Sequence, residues 1–369
     1  TYVYYQPNTS YNGTTSDAVT AKAWDTTGGY TNGQAGVNTT QWPVLTGGYN
    51  TSGVASGVVI QGSFAYVADD IFGLPIINIS TPAVPAFMGA FNTAGFAQDL
   101  AVSGNRAYIA AGGTGLQIID VTNPAGPTLL STFNTAGTAK KVAVYGSYAY
   151  VADDTQGLQI VDVSNSTSPV SAGSYNTVGT ANGVAISGSY AYVADGGAGG
   201  LQIINISNPS SPTLVGSLDT AGGALSVAVS GNYAYVADEA NGLQIIDISN
   251  PASPTAVGGF ATAGTAWNVT IGGHFAYVSV GTGGLQVIDI STPASPTLVG
   301  TYNQVHPTDG LSIIAAAASD QYVYVANTGA GLQVLNIAAA PFSTASDTFS
   351  LTVAPNDAPT IAGLPPTAQ

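Results

Sequence analysis

One stretch of about forty residues recurs through this chain, and that recurrence limits what the chain can fold into. "YAYVADDTQGLQIVDVSNSTSPVSAGSYNT" begins at Tyr148, "YAYVADGGAGGLQIINISNPSSPTLVGSLDT" at Tyr190 and "YAYVADEANGLQIIDISNPASPTAVGGFAT" at Tyr233. The Tyr of the "YVAD" slot falls at Tyr66, Tyr108, Tyr150, Tyr192, Tyr235, Tyr277 and Tyr324, with separations of 42, 42, 42, 43, 42 and 47. The Leu of "GLQIIDIS" recurs with it, from Leu74 to Leu332. Seven units of this length match the size of propeller blades.

Each unit reads as four strands: "VAVSG", "YAYVAD", "GLQIIDIS" and "PTLVGSYNT". Gly, Asn, Pro and Ser separate them, as antiparallel hairpins require. The inner strands are near-continuous apolar runs, which suits sheets covered on both faces. Composition agrees. Good helix formers are scarce, with Lys+Arg 4, one Met and only Glu239 as glutamate, while Val, Ile, Tyr, Thr and Gly abound. The expected class is all-β.

The ends of the array favour a closed ring over an open solenoid. The seventh unit stops after its third strand, at "GLQVLNIA". "WPVLTGGYNTSG" at 42–53 matches the missing fourth strand. One blade shared between the two ends would close a seven-bladed propeller of four-stranded blades and leave no orphan edge there. "LQIIDIS", "LQIVDVS" and "LQVIDIS" resemble the motif of the LVIVD-repeat family of bacterial and archaeal surface proteins, over about 42–337. That resemblance implies a propeller and an extracytoplasmic setting, and no established reaction.

The flanks lack the repeat. "YVYYQPNTSYNGTTSDAVTAKAWDTTGG" and "STASDTFSLTVAPNDAPT" resemble the later strands of a bacterial cadherin-like or immunoglobulin-like module. The expected organisation is therefore a propeller, 42–338, inserted in a small partial β-sandwich built from 1–41 and a returning strand in 339–356. Residues 357–369 would be a linker, or a strand donated to the next module or subunit. Strand addition repeated head to tail makes a filament. The alternative is a fragment of a longer multidomain protein.

The chemistry-bearing residues are few. A net charge of −15 with no basic patch disfavours nucleic acid and anionic lipid as partners. No apolar run reaches the ~20 residues needed to span a bilayer, so membrane insertion is not expected. Acids recur where the second strand ends: Asp69, Asp70, Asp153, Asp154, Asp195, Asp238 and Glu239. Gathered on one rim, they would suit Ca2+, which takes six to eight oxygens, or a polyol. The competing reading, in which each Asp caps its own turn, carries more weight. Asp357 in the "NDAP" linker is a second candidate calcium ligand. The Asn-x-Ser/Thr sequons at Asn8, Asn12, Asn38 and Asn50 are candidate glycosylation sites. With no Cys, two His (His274, His306) and one Glu, the materials for an enzyme are missing.

The expected function is thus a non-enzymatic, extracellular structural or adhesive protein, without cofactor, whose partners are copies of itself or neighbouring sandwich modules. A carbohydrate-, cation- or protein-binding propeller module is the alternative. A lactonase-like propeller hydrolase ranks third, because His and Glu are so scarce.

Overall fold

The computed structural model describes residues 42–303 except 282, 313–319, 321–337, and the two short segments 351–352 and 360–361. The chain divides into two compact units, Thr40–Ala339 and a second made of Thr1–Thr39 with Ala340–Gln369. In the second unit Leu351–Thr352 pairs antiparallel with Thr360–Ile361. The expected sandwich otherwise lies outside the described residues.

The first unit is a seven-bladed β-propeller. Blade 3 shows the plan: Lys141–Tyr145, Tyr148–Ala152, Leu158–Asp162 and Val170–Tyr175 form one antiparallel sheet in chain order, from inner to outer strand. Tyr145 pairs with Tyr148 across a two-residue turn. Gly146 sits in that turn at φ 60°, where a side chain is strained. The other complete blades span 57–91, 99–133, 180–218, 226–260 and 268–302. In blade 4 a short 3-10 turn, Gly197–Gly199, lies between the second and third strands, where that unit carries its extra residue. The seventh sheet is Ile313–Ala318, Tyr322–Asn327 and Gly331–Asn336, with Val44–Tyr49 as its outer strand. Each inner strand packs against the inner strand of the next blade, and the last against the first.

The core is divided into seven layers between neighbouring sheets. Alternation along a strand sends successive side chains to opposite faces. Tyr150, Ala152, Leu158 and Ile160 of blade 3 face Ala191, Val193, Ile204 and Ile206 of blade 4. Ala149, Val151 and Val161 of blade 3 face the other way, against Tyr108, Leu116 and Ile118 of blade 2. Each sheet thus presents a large face, Tyr with Leu and Ile, to a neighbour's smaller Ala and Val face. That size match lets identical units stack, and it makes both faces of the inner strands apolar.

A second device sets blade spacing at the outer strand. A Cβ on Gly216 would overlap the carbonyl oxygen of Pro251 in the next blade, and one on Gly258 would overlap that of Pro293. The same slot in blade 6, Gly300, abuts the carbonyl of Trp42, just before the outer strand of blade 7. Trp42 is buried with Tyr277, Leu285, Tyr302 and Val325 in the layer between blades 6 and 7.

Candidate functional site

The acids at the end of the second strand occupy two structurally different slots. In the first, Asp69, Asp153, Asp195 and Asp238 are buried. Each accepts a hydrogen bond from the Thr that ends the preceding unit: Thr51 at 2.8 Å, Thr135 at 2.6 Å, Thr177 at 2.7 Å and Thr220 at 2.6 Å. The amides of Gly53 and Gly179 also donate to Asp69 and Asp195, both at 2.9 Å. Burial pushes all four carboxyls above their ordinary range, opposed by the Thr hydroxyls. These are latches that fasten the connection between blades. Where the Asp is replaced by Ala111 or Val280, the Thr hydroxyl turns instead to the carbonyl of Gly95 or Gly264, at 2.7 Å in both cases. In blade 7, Asn327 accepts from the amides of Gly329 and Ala330.

The second slot is defined by backbone. Asp70, Asp154 and Glu239 lie at φ 47°, 53° and 46°, and Gly112 and Gly281 occupy the same position at 58° and 57°. The carbonyls of Asp70, Gly112, Asp154 and Glu239 accept from the amides of Ala97, Ala139, Ala181 and Ala266 in the next blade. Asp tolerates the left-handed region better than most residues and Gly adopts it freely. Among the described residues no three Asp, Glu or His side chains come together as ligands for a metal ion. Of the seven acids, Asp69, Asp153, Asp195 and Asp238 accept from the preceding unit rather than capping their own turns. Asp357, Asn8, Asn12, Asn38 and His306 lie outside the described residues. Asn50 is exposed, and His274 is exposed in a turn whose carbonyl accepts from Ile290.

The distinctive site is on the axis. A cavity of about 510 Å³ opens there, lined from six blades, a size within the usual range for small-molecule pockets. Its wall is built where the repeats stop agreeing. Nine residues before each "YVAD" Tyr stand Gly57, Asp99, Lys141, Gly183, Ser226, Asn268 and Ala315. One residue earlier stand Ser56, Gln98, Lys140, Asn182, Leu225, Trp267 and Ile314. These positions fall at or near the starts of the inner strands, and in blades 1 to 6 one or both of them line the cavity.

Two of the chain's four basic residues meet there. Lys140 donates to Asn182 Oδ1 at 2.8 Å and pairs with Asp154 at 2.9 Å. The Asn182 amide donates in turn to the carbonyl of Ala224 at 2.9 Å. Lys141 reaches across the axis from blade 3, donating to Ser226 Oγ of blade 5 at 3.0 Å and to Asn268 Oδ1 of blade 6 at 3.1 Å. Ser226 Oγ donates to the same Asn268 oxygen at 2.7 Å. Asp99 accepts from the Val142 amide at 3.1 Å. Burial pushes the Asp99 carboxyl up, with Lys141 and nearby amides pulling it back; burial pushes the Lys141 ammonium down, with Asp99 opposing. At the mouth, Val54, Phe96 and Trp267 are exposed. The site therefore combines amide, hydroxyl, ammonium and carboxylate groups with an exposed aromatic rim.

Sequence reasoning passed over this site because it looked for acids that repeat. The available signal was the reverse: Lys-Lys, Gln-Asp and Trp-Asn breaking an otherwise uniform unit at one fixed offset.

Comparison with known proteins agrees with the blade assignment. The LVIVD repeat matches at 52–93, 94–135, 136–177, 178–220, 221–262, 263–304 and 315–347. A search of the curated proteins finds no match. Among solved structures, the computationally designed Ika8 protein superposes with a TM-score of 0.58 at 10% identity, covering 80% of this chain and 100% of that one. BamB from Moraxella catarrhalis gives 0.55 at 12% identity, covering 79% and 85%. At such identities the likeness is one of fold. With seven matched units accounting for seven blades, the chain belongs to the LVIVD-repeat family.

Proposed function

We propose that this protein is a non-enzymatic, extracellular binding module that holds a neutral saccharide or similar polyol in its axial cup. The observation that carries this reading is the coincidence of the cavity with the positions where seven otherwise matching units diverge. A sugar presents hydroxyls that both donate and accept, and a C–H face that packs on aromatic rings. Gln98, Asn182 and Asn268 supply amides, Asp70 a carboxylate, and Trp267 an exposed ring at the mouth. An anionic ligand fits less well, because Lys140 is already paired with Asp154 and Lys141 lies in the field of Asp99. Titration with neutral oligosaccharides, followed by tryptophan fluorescence and calorimetry, tests the reading. Binding that is lost in Trp267→Ala, with the melting temperature unchanged, is the expected result. No heat and no fluorescence change across a panel of neutral glycans would overturn it.

A second reading, assembly with copies of itself at the cell surface, draws on the outer strands. Leu45, Phe87, Leu129, Val170, Leu214 and Leu298 are exposed near the starts of those strands, beside main chain that no further strand covers. Electron microscopy of the purified chain would show polymers on this reading, and monomers at every concentration would exclude it.

A further inference from the structure

We infer that Lys141 and Asn268 become joined by an isopeptide bond, a covalent strap across the propeller axis. The two residues stand 127 positions apart in sequence and three blades apart in the ring, yet the Lys141 nitrogen lies 3.1 Å from the Asn268 carbonyl oxygen. The inference goes beyond the binding function and does not depend on it.

The cluster holds the parts that amide exchange between Lys and Asn requires. The electrophile is activated, because Asn268 Oδ1 accepts from Ser226 Oγ at 2.7 Å as well as from Lys141. The Ser226 hydroxyl draws electrons from the carbonyl carbon and stabilises the oxyanion that follows attack. The nucleophile must be a neutral amine. Lys141 is half-buried, which disfavours its charge, and Asp99 is the carboxylate whose field acts on it. A proton passing from ammonium to carboxylate removes two opposite charges together from a half-buried site.

The reaction balances without any co-reactant. Asp99, which is not in ion-pair contact with Lys141, accepts one proton from its ammonium through solvent of the cavity. The Nζ lone pair attacks Asn268 Cγ; the N–C bond forms and the carbonyl π pair moves onto Oδ1, held by the Ser226 hydroxyl. A second Nζ proton passes to Nδ2. The carbonyl reforms, the Cγ–Nδ2 bond breaks with its electron pair on nitrogen, and ammonia leaves, taking up the proton held by Asp99. The neighbouring pair provides an internal contrast. Lys140 contacts Asn182 at 2.8 Å but is also ion-paired with Asp154 at 2.9 Å, with both side chains about 30% exposed. That ion pair holds its nitrogen, and it does not react. In a chain without cysteine, such a strap is the available covalent closure.

Intact mass spectrometry of the purified full chain decides the matter. The expected mass is about 17 Da below the sequence value, the loss of one ammonia. Chymotryptic mapping should find the peptides of Lys141 and Asn268 joined. Lys141→Met and Asn268→Ala should each carry the full mass expected of their own sequence. Asp99→Asn should slow formation of the linked species by about 100-fold or more, as loss of an acid–base group does. A wild-type chain of full mass overturns the inference. So does a loss of ammonia that maps to a succinimide at an Asn–Gly pair such as Asn182-Gly183, or one that persists in Asn268→Ala.

Discussion

Replacing Asp195 with Ala tests the latch between blades. Asp195 is fully buried and accepts from Thr177 Oγ at 2.7 Å and from the Gly179 amide at 2.9 Å. Hydrogen bonds to a charged group contribute about 1.5–3 kcal/mol each, so deleting the carboxylate would at first count cost about 3–6 kcal/mol. Two effects reduce that figure. The carboxyl is held above its ordinary range because burial disfavours its charge, and removing it relieves that penalty. The Thr has a ready alternative, since Thr93 and Thr262, which face Ala111 and Val280, donate to Gly95 and Gly264 at 2.7 Å. If Thr177 turns in the same way to Gly179, it recovers about 1 kcal/mol. What remains is the loss at the Gly179 amide, and the net cost is about 1–3 kcal/mol.

Differential scanning calorimetry of the wild type, Asp195→Ala, Thr177→Ala and the double variant would measure it. For a ring of this size the melting temperature should fall by about 2–4 °C per kcal/mol. Because Asp195 keeps the Gly179 amide when Thr177 is removed, Thr177→Ala should cost less than Asp195→Ala, and the double variant less than the sum of the two. An Asp195→Ala protein as stable as the wild type, or strict additivity, would refute the latch.

Gly300→Ala tests the contact at the ends of the array: its Cβ must displace Trp42, and overpacking of this kind costs about 1–3 kcal/mol, read as a lower melting temperature. An unchanged melting temperature would show that Trp42 does not hold the ring there. The pH profile should lean to the acid side. Asp69, Asp99, Asp153, Asp195 and Asp238 have raised folded values, so their contribution is complete below the ordinary carboxylate range and is lost as pH rises through the raised values. The melting temperature should therefore fall from mildly acid toward neutral pH, and more gently in Asp195→Asn. At the alkaline end Tyr277, pushed up to about 12 by burial, keeps its proton in the folded chain after an unfolded one would lose it, so its stabilisation is present below about 10 and lost as pH rises through about 12. The last part of the tyrosinate absorbance, that of buried Tyr277, should then appear together with unfolding rather than ahead of it.

The blades were legible because their physics is local. A strand with both faces covered must be apolar throughout, a two-residue turn needs Gly where φ is positive, and each unit repeats both demands. The sites were less legible because residue type does not reveal which way a side chain faces. Asp153 and Asp154 are adjacent acids in the sequence, yet one is a buried latch and the other holds a left-handed turn and pairs with Lys140. Lys141, Ser226 and Asn268 lie in three separate units, and only the radial arrangement of inner strands brings them to one point. Equal offset from the repeat anchor could have foretold that meeting, because closing a ring turns equal offset into a shared height on the axis.

That equivalence also bears on why the charges are there. Gly57, Gly183 and Ala315 occupy the same slot as Asp99, Lys141 and Asn268. The blade therefore builds with no polar group at this position, and placing an ammonium and a carboxylate in the throat costs desolvation that folding alone does not require. The small residues are useful in their own way: a Cβ on Gly57 would come within 3.2 Å of Asp99 Oδ1, and one on Gly183 within 3.0 Å of the Leu225 carbonyl. They let neighbouring inner strands approach closely. Close approach in two copies and a long cation in a third thus stand at one offset, and the cation reaches across the axis to a polarised amide. An isopeptide formed there would remove both the ammonium and the desolvation cost it carries, and would keep a carbonyl oxygen at the floor of the cup. Bond formation and ligand binding can therefore share the same few residues without conflict.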